Sequence, residues 1–166
     1  MPAATAPSPI EPGKKAPAFH LADQLGEKHR LSDYAGSWVV LFFYPKDDTS
    51  GCTKEACQFR DASAEGALSK RGAVVLGMSP QDVKSKAKFA QKHDLNFPLL
   101  ADDEAVVCTK YGVYGEKSMY GRTYMGVNRT TYLIDPKGKV AQRWDKVKVP
   151  GHADEVLATL DELTKA

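Results

Sequence analysis

Cysteine is scarce in this chain: Cys52, Cys57 and Cys108 are the only three in 166 residues. That number is too small for a disulfide scaffold, and the spacings match no common zinc pattern. The four histidines, His20, His29, His93 and His152, are scattered without ligand spacing, so no metal site and no cofactor are expected. Charge of one sign is also lacking, since 23 basic residues stand against 21 acidic ones. A balance of +2 gives no whole-protein field to draw in nucleic acid or an anionic membrane. No run approaches the roughly 18 consecutive apolar residues of a membrane span. The start has neither the basic flank nor the apolar run of a secretory signal. These absences predict a soluble cytoplasmic protein whose partners must be read from a site. No repeat with a period of about 20 to 50 residues is visible.

What is present suits one compact domain, with 42% apolar and 27% charged residues. Residues 1–17 contain Pro2, Pro7, Pro9, Pro12 and Pro17 among alanines and read as a disordered or loosely docked tail. The domain is expected over residues 18–166. Phe19 to Leu31 suits a hairpin turning at Gly26. Trp38 to Tyr44 is a continuous β-branched and aromatic run, predicting a strand covered on both faces and ended by Pro45. A helix is expected from about Cys52 to Lys70, with Thr49 or Ser50 as N-cap. A buried strand follows at Ala73 to Met78. Ser79-Pro80-Gln81-Asp82 then reads as the N-cap and first turn of a helix running to about Asp94. Phe97 to Ala101 reads as a short strand and Asp103 to Tyr111 as a short helix. Gly112 to Val127 is expected to be a long Gly- and Tyr-rich loop. Thr130 to Ile134 and Val140 to Trp144 predict a hairpin through Asp135-Pro136-Lys137-Gly138. A last helix carries Val156, Leu157, Leu160 and Leu163 on one face. This order implies an α/β, thioredoxin-like three-layer fold: a mixed central β-sheet with helices on both faces.

Fold alone does not decide function, and the cysteines are the residues that carry reactive chemistry. A thiol attacks only as thiolate, and a free cysteine with a pKa near ~8.5 is mostly protonated at neutral pH. Cys52 is placed in the first turn of its helix, beside unpaired backbone N–H groups and the positive end of the helix, where thiolates are favoured. Thr49 can set a hydroxyl beside the sulfur, and Pro45 can wall a pocket without offering an N–H. Taken singly, Thr49 would be an N-cap and Pro45 a strand terminator.

Together Pro45, Thr49 and Cys52 read P-x-x-x-T-x-x-C after a buried strand, which resembles the active-site signature of peroxiredoxins. The resemblance covers nearly the whole chain from about Gly13. It runs through Ala16-Pro-Ala-Phe, Phe43-Tyr-Pro-Lys-Asp-Asp-Thr-Ser-Gly-Cys-Thr-Lys-Glu-Ala-Cys, Phe97-Pro-Leu-Leu-Ala-Asp, Gly115-Glu-Lys-Ser and Asn128-Arg-Thr-Thr-Tyr-Leu-Ile-Asp. The subfamily it resembles most is that of bacterioferritin comigratory protein, or peroxiredoxin Q. The resemblance implies a thiol-dependent peroxidase acting on hydrogen peroxide and organic hydroperoxides. Cys52 is then peroxidatic, Thr49 and Pro45 shape the peroxide pocket, and Arg129 completes the site. Cys57, five residues on, is implied to resolve the sulfenic acid as a disulfide. Five helical residues advance about 7.5 Å and turn about 140°, whereas a disulfide tolerates at most about 7 Å between Cα atoms. Resolution therefore requires the first helical turns to unwind. The chain has no C-terminal cysteine of the kind that resolves across a dimer, so the resemblance implies intramolecular resolution in a monomer, recycled by thioredoxin or a similar dithiol.

Two rival functions remain at this level. A thiol-disulfide oxidoreductase shares the fold but normally needs C-x-x-C, and Thr53-Lys54-Glu55 follows Cys52 here. A holdase or redox-sensing partner protein would use the tail and a mobile Cys52–Cys57 helix. Cys108, beside Val106 and Val107, reads as a small buried residue, with an auxiliary thiol as the minor alternative. Glu55 reads either as support for the site or as a surface acid of the helix. Tyr114, Tyr120 and Tyr124 border a peroxide entrance or pack the long loop, and none of these is assigned to catalysis.

Overall fold

The computed structural model describes residues 8–164. Its elements in chain order are β1 (His20–Ala22), β2 (Lys28–Arg30), β3 (Trp38–Phe43), α1 (Ser50–Ala64), β4 (Ala73–Ser79), α2 (Val83–His93), β5 (Leu99–Ala101), α3 (Val106–Lys110), β6 (Tyr114–Met119), β7 (Arg122–Val127), β8 (Thr130–Ile134), β9 (Val140–Trp144) and α4 (His152–Thr164). The central sheet has the order β5-β4-β3-β8-β9. β3, β4 and β5 run parallel, while β8 is antiparallel to β3 and β9 to β8. Helical crossovers supply the parallel half and the Asp135-to-Gly138 turn supplies the antiparallel half. In that turn the Gly138 N–H donates to the Asp135 carbonyl.

β3 lies at the centre, and its alternation explains the two cores. Val40, Phe42 and Tyr44 face one way, toward Phe59 of α1, Phe89 of α2 and Val156 and Leu160 of α4. Val39, Leu41 and Phe43 face the other way, toward Val107 and Cys108 of α3, Tyr111, Phe19 and Ala16. Both faces of a parallel strand being covered is why its sequence shows no polar alternation. The result is the expected three-layer, thioredoxin-like α/β fold. No helix among the described residues is long and apolar enough to cross a membrane.

Several boundaries differ from the sequence reading. Helix α1 stops at Ala64 rather than near Lys70, because Gly66 takes a left-handed φ of 73° and its N–H bonds back to the Ser63 carbonyl. The N-cap of α2 is Asp82, whose side chain accepts from the Ser85 N–H; Ser79 instead ends β4. The expected loop over 112–127 is largely the β6–β7 hairpin, closed at Tyr120 and Gly121, both with positive φ. On α4, Val156 and Leu160 are buried but Leu163 is 45% exposed. The N-terminal tail expectation covers residues 1–17, of which 1–7 lie outside the described residues. Residues 8–17 are docked rather than loose. Gly13 and Ala16 donate backbone bonds to Val140 and Gly138, the Ile10 N–H donates to the Tyr132 hydroxyl, and Arg143 donates to the Ile10 carbonyl.

Candidate active site

Helix α1 buries Cys52, Glu55, Ala56, Phe59 and Ala62, a stripe with helical spacing that faces the sheet. Cys52 and Glu55 are therefore set on the same inward face, one turn apart. Thr49 has the extended backbone of an N-cap, yet its side chain caps nothing; its hydroxyl donates to the Lys46 carbonyl at 2.9 Å. The Cys52 side chain is 1% exposed.

Arg129 enters this site from the short link between β7 and β8. Its Nη2 donates to Cys52 Sγ at 3.3 Å and its Nη1 donates to Glu55 Oε1 at 2.7 Å. The guanidinium thus holds the sulfur and the carboxylate at once, a planar fork being suited to two acceptors on one helix face. Gly51 makes room for it, since a Cβ there would lie 3.2 Å from Arg129 Nη2. Burial pulls the Arg129 pKa down, but Glu55 and Cys52 outweigh it and the net direction is upward. Burial pushes the Glu55 carboxyl up to about 7, against the opposing pull of Arg129. Its second oxygen, Oε2, has no hydrogen-bond partner among the described residues.

Pro45 follows β3 and is half-buried, its carbonyl accepting from Gln81 Nε2 at 3.2 Å. Pro45 and Thr49 thus lie on the loop that leads into Cys52, the Pro45 carbonyl bonded to Gln81, the Thr49 hydroxyl to Lys46 and the Thr49 carbonyl to the Thr53 N–H of α1. Cys57 sits on α1 but off the buried stripe, partly exposed, and α1 is continuous between the two cysteines. Cys108 is fully buried; its N–H donates to Asp102 Oδ2 at 2.7 Å, and burial, with Asp102 adding to it, drives its thiol pKa upward.

Among the described residues, Asp23, Glu27 and His29 bring possible metal-ligand atoms within 4.8 Å of one another. The Asp23 carboxylate and the His29 ring are already engaged in the β1–β2 hairpin, with Asp23 accepting from the Leu25 and Glu27 N–H groups and pairing with His29 at 2.6 Å. The sequence reading left Glu55 between two roles and did not single out Gly51. A glycine in the first helical turn directly before the cysteine was the available signal for a side chain packed closely there.

Comparison with known proteins places this geometry in a family. The AhpC/TSA family model matches residues 12–143. A putative peroxiredoxin bcp of Coxiella burnetii is 51% identical over 151 residues, 91% of this chain and 99% of that protein. Peroxiredoxin Bcp of Escherichia coli K12 is 44% identical over 155 residues, 93% of this chain and 98% of that protein. Among solved structures, the bacterioferritin comigratory protein of Xanthomonas campestris superposes with a TM-score of 0.86 at 40% identity, covering 93% of this chain and 100% of that one. A buried helix-start cysteine held by an arginine, in a thioredoxin-like frame with such relatives, has one reading: the chain belongs to the AhpC/TSA family, resembles its Bcp and peroxiredoxin Q members, and is a thiol peroxidase.

Proposed function

We propose that Cys52 is the peroxidatic thiol, and that the observation carrying this is the Arg129 Nη2 to Cys52 Sγ hydrogen bond at the first turn of α1. The Cys52 thiolate attacks the nearer oxygen of a hydroperoxide ROOH. The S–O bond forms as the O–O bond breaks, RO⁻ leaves and takes a proton as ROH, and the sulfur becomes a sulfenic acid. Arg129 faces charge on the sulfur and on the departing oxygen, so its fixed cation is worth most where charge moves. Thr49 spends its only hydroxyl proton on the Lys46 carbonyl, which leaves its oxygen as an acceptor for the peroxide O–H. Pro45 contributes an apolar wall that carries no N–H.

Cys57 then attacks the sulfenic sulfur, forming the Cys52–Cys57 disulfide and releasing water. Its position five residues along an intact helix requires α1 to unwind between the two cysteines first. A dithiol reduces the disulfide and is itself oxidised; a thioredoxin fits this role, and the protein acts as a cytoplasmic monomer. Hydrogen peroxide and organic hydroperoxides are the substrate class. The Xanthomonas campestris relative has an alkyl peroxide reduction activity, which supports including organic hydroperoxides.

Stopped-flow mixing of the reduced protein with hydrogen peroxide tests the assignment. Cys52→Ser should abolish the fast peroxide reaction, whereas Cys57→Ser should keep it and accumulate a sulfenic acid. Fast peroxide consumption by Cys52→Ser would overturn it.

A further inference from the structure

The Thr49 carbonyl accepts the first bond of α1, from the Thr53 N–H at 2.8 Å, but residues 45–48 before it are held from elsewhere. Asp47 is buried, and its Oδ1 accepts from the Tyr44 hydroxyl at 2.6 Å and from Lys86 Nζ at 3.1 Å. Its Oδ2 accepts from Ser85 Oγ at 2.7 Å. The Asp47 N–H donates to Gln81 Oε1 at 3.1 Å, while Gln81 Nε2 donates to the Pro45 carbonyl. Lys86 is fully buried and also donates to Ser79 Oγ. Beyond Asp47 the chain is tied to the far end of α2, with Asp48 accepting from Lys92 at 2.9 Å and paired with His93 at 3.0 Å. The partners at 45–48, the neighbouring Tyr44 and Thr49 apart, thus come from the end of β4, the link after it and α2. Downstream of Cys57, α1 is anchored again. Gln58 bonds the Val149 carbonyl and the Ala153 N–H, and Arg60 donates to the His93 carbonyl.

From this arrangement we infer that Lys86, Asp47 and Gln81 form a clamp that positions the peroxide pocket and sets the upstream limit of α1 unwinding. Two sets of bonds bracket the segment from Thr49 to Cys57. A buried ammonium-carboxylate pair is costly to open, whereas the segment between the anchors has its side-chain polar ties to the body through Arg129, beside the packing of Cys52 and Ala56 in the core. Residues 45–48 stay fixed on α2 through the cycle, and Thr49 to Cys57 is the part that rearranges. Lys86, Asp47 and Gln81 are positioning residues: they act through the backbone of Pro45 and Asp47 and through the placing of Thr49. The inference rests on the proposed Cys52–Cys57 disulfide.

Two measurements test it. The first is amide exchange of reduced and peroxide-oxidised wild-type protein, with the disulfide mapped by mass spectrometry on the same sample. The Asp47 amide should stay protected in both states while residues 53–57 lose protection on oxidation. Absence of a Cys52–Cys57 disulfide would defeat the functional reading itself. Presence of that disulfide with the Asp47 amide exchanging alongside the helix would overturn the clamp alone. The second uses Gln81→Ala in a Cys57→Ser background. Peroxide attack should slow by about 10- to 100-fold, as expected when a pocket is misplaced by about 1 Å. The pH titration of thiolate absorbance should stay as in the parent, because Arg129 is untouched. An unchanged attack rate, or a thiolate titration that moves with the rate, would overturn the positioning role.

Discussion

At the residue scale the site turns on one guanidinium. Arg129→Ala should lower the second-order rate with hydrogen peroxide by about 100-fold, the usual cost of removing a donor aimed at developing charge. A rate within twofold of wild type in stopped flow would contradict the account. Glu55 adds a pH dependence whose sign follows from its burial. Its carboxyl is raised to about 7 from an ordinary value of 4.5, so folding favours the protonated form. Its contribution to stability is therefore fully present below about 4.5 and is lost as pH rises through about 7. Relative to Glu55→Gln, the wild type should lose roughly 1–3 kcal/mol across that window, measured by denaturant unfolding at stepped pH. The same ionisation completes the Arg129 pair, so the wild-type peroxide rate should gain a limb near pH 7 that Glu55→Gln lacks. Cys108 makes the complementary case. It is buried and its thiol is pushed up, so Cys108→Ala should retain dithiol-linked turnover and cost only about 1 kcal/mol of stability.

At the element scale, α1 carries both the proposed attack and its limit. Its buried stripe puts Cys52 and Glu55 beneath Arg129, and Cys57 falls off that stripe with part of its surface open. Glu55 ionised inside the fold opposes its own burial, so above about pH 7 the wild type should close the disulfide faster than Glu55→Gln once the sulfenic acid exists, followed by quench and mass spectrometry. Slower closure in the wild type would mean that the Arg129 tie outweighs that cost. How far such elements could be read in advance depended on where their determinants lie. Strand β3, its partner β4 and the β8–β9 hairpin carry their signal in their own residues: continuous apolar runs and an Asp-Pro-Lys-Gly turn. So does the start of α1, and with it Cys52, Thr49 and Pro45. The β6–β7 hairpin is mostly exposed on both faces, so burial imposes no alternation, and only the Tyr120-Gly121 turn marks it. The end of α1 was misplaced because Gly66 is a stop only in a left-handed conformation, which a helical pattern running past it conceals. Arg129 was reachable only through the family resemblance, since 77 residues separate it from Cys52. The Asp47–Lys86 pair, 39 residues apart, has no local signature at all, because the topology creates it.

At the scale of the whole molecule, two cores share one sheet, and Cys52, the proposed peroxidatic thiol, belongs to the one covered by α1, α2 and α4. The N-terminal segment from Ser8 to Pro17 belongs to the opposite layer. It fastens β9 and Tyr132 through backbone bonds, and the Tyr132 hydroxyl in turn donates to the Tyr111 carbonyl. Removing residues 8–17 should therefore destabilise the fold while leaving the peroxide rate of the folded fraction unchanged. Thermal unfolding beside stopped flow separates the two, and an unchanged Tm would show that the segment contributes nothing. The central claim is that Cys52 is oxidised and Cys57 alone closes on it. Its most direct test is to treat the reduced protein with one equivalent of hydrogen peroxide, block free thiols, digest without reductant and identify the linked peptides by mass. The account predicts a Cys52–Cys57 disulfide within a single chain and Cys108 recovered as the blocked thiol. A disulfide that includes Cys108, a link between two chains, or Cys52 recovered unoxidised would contradict it.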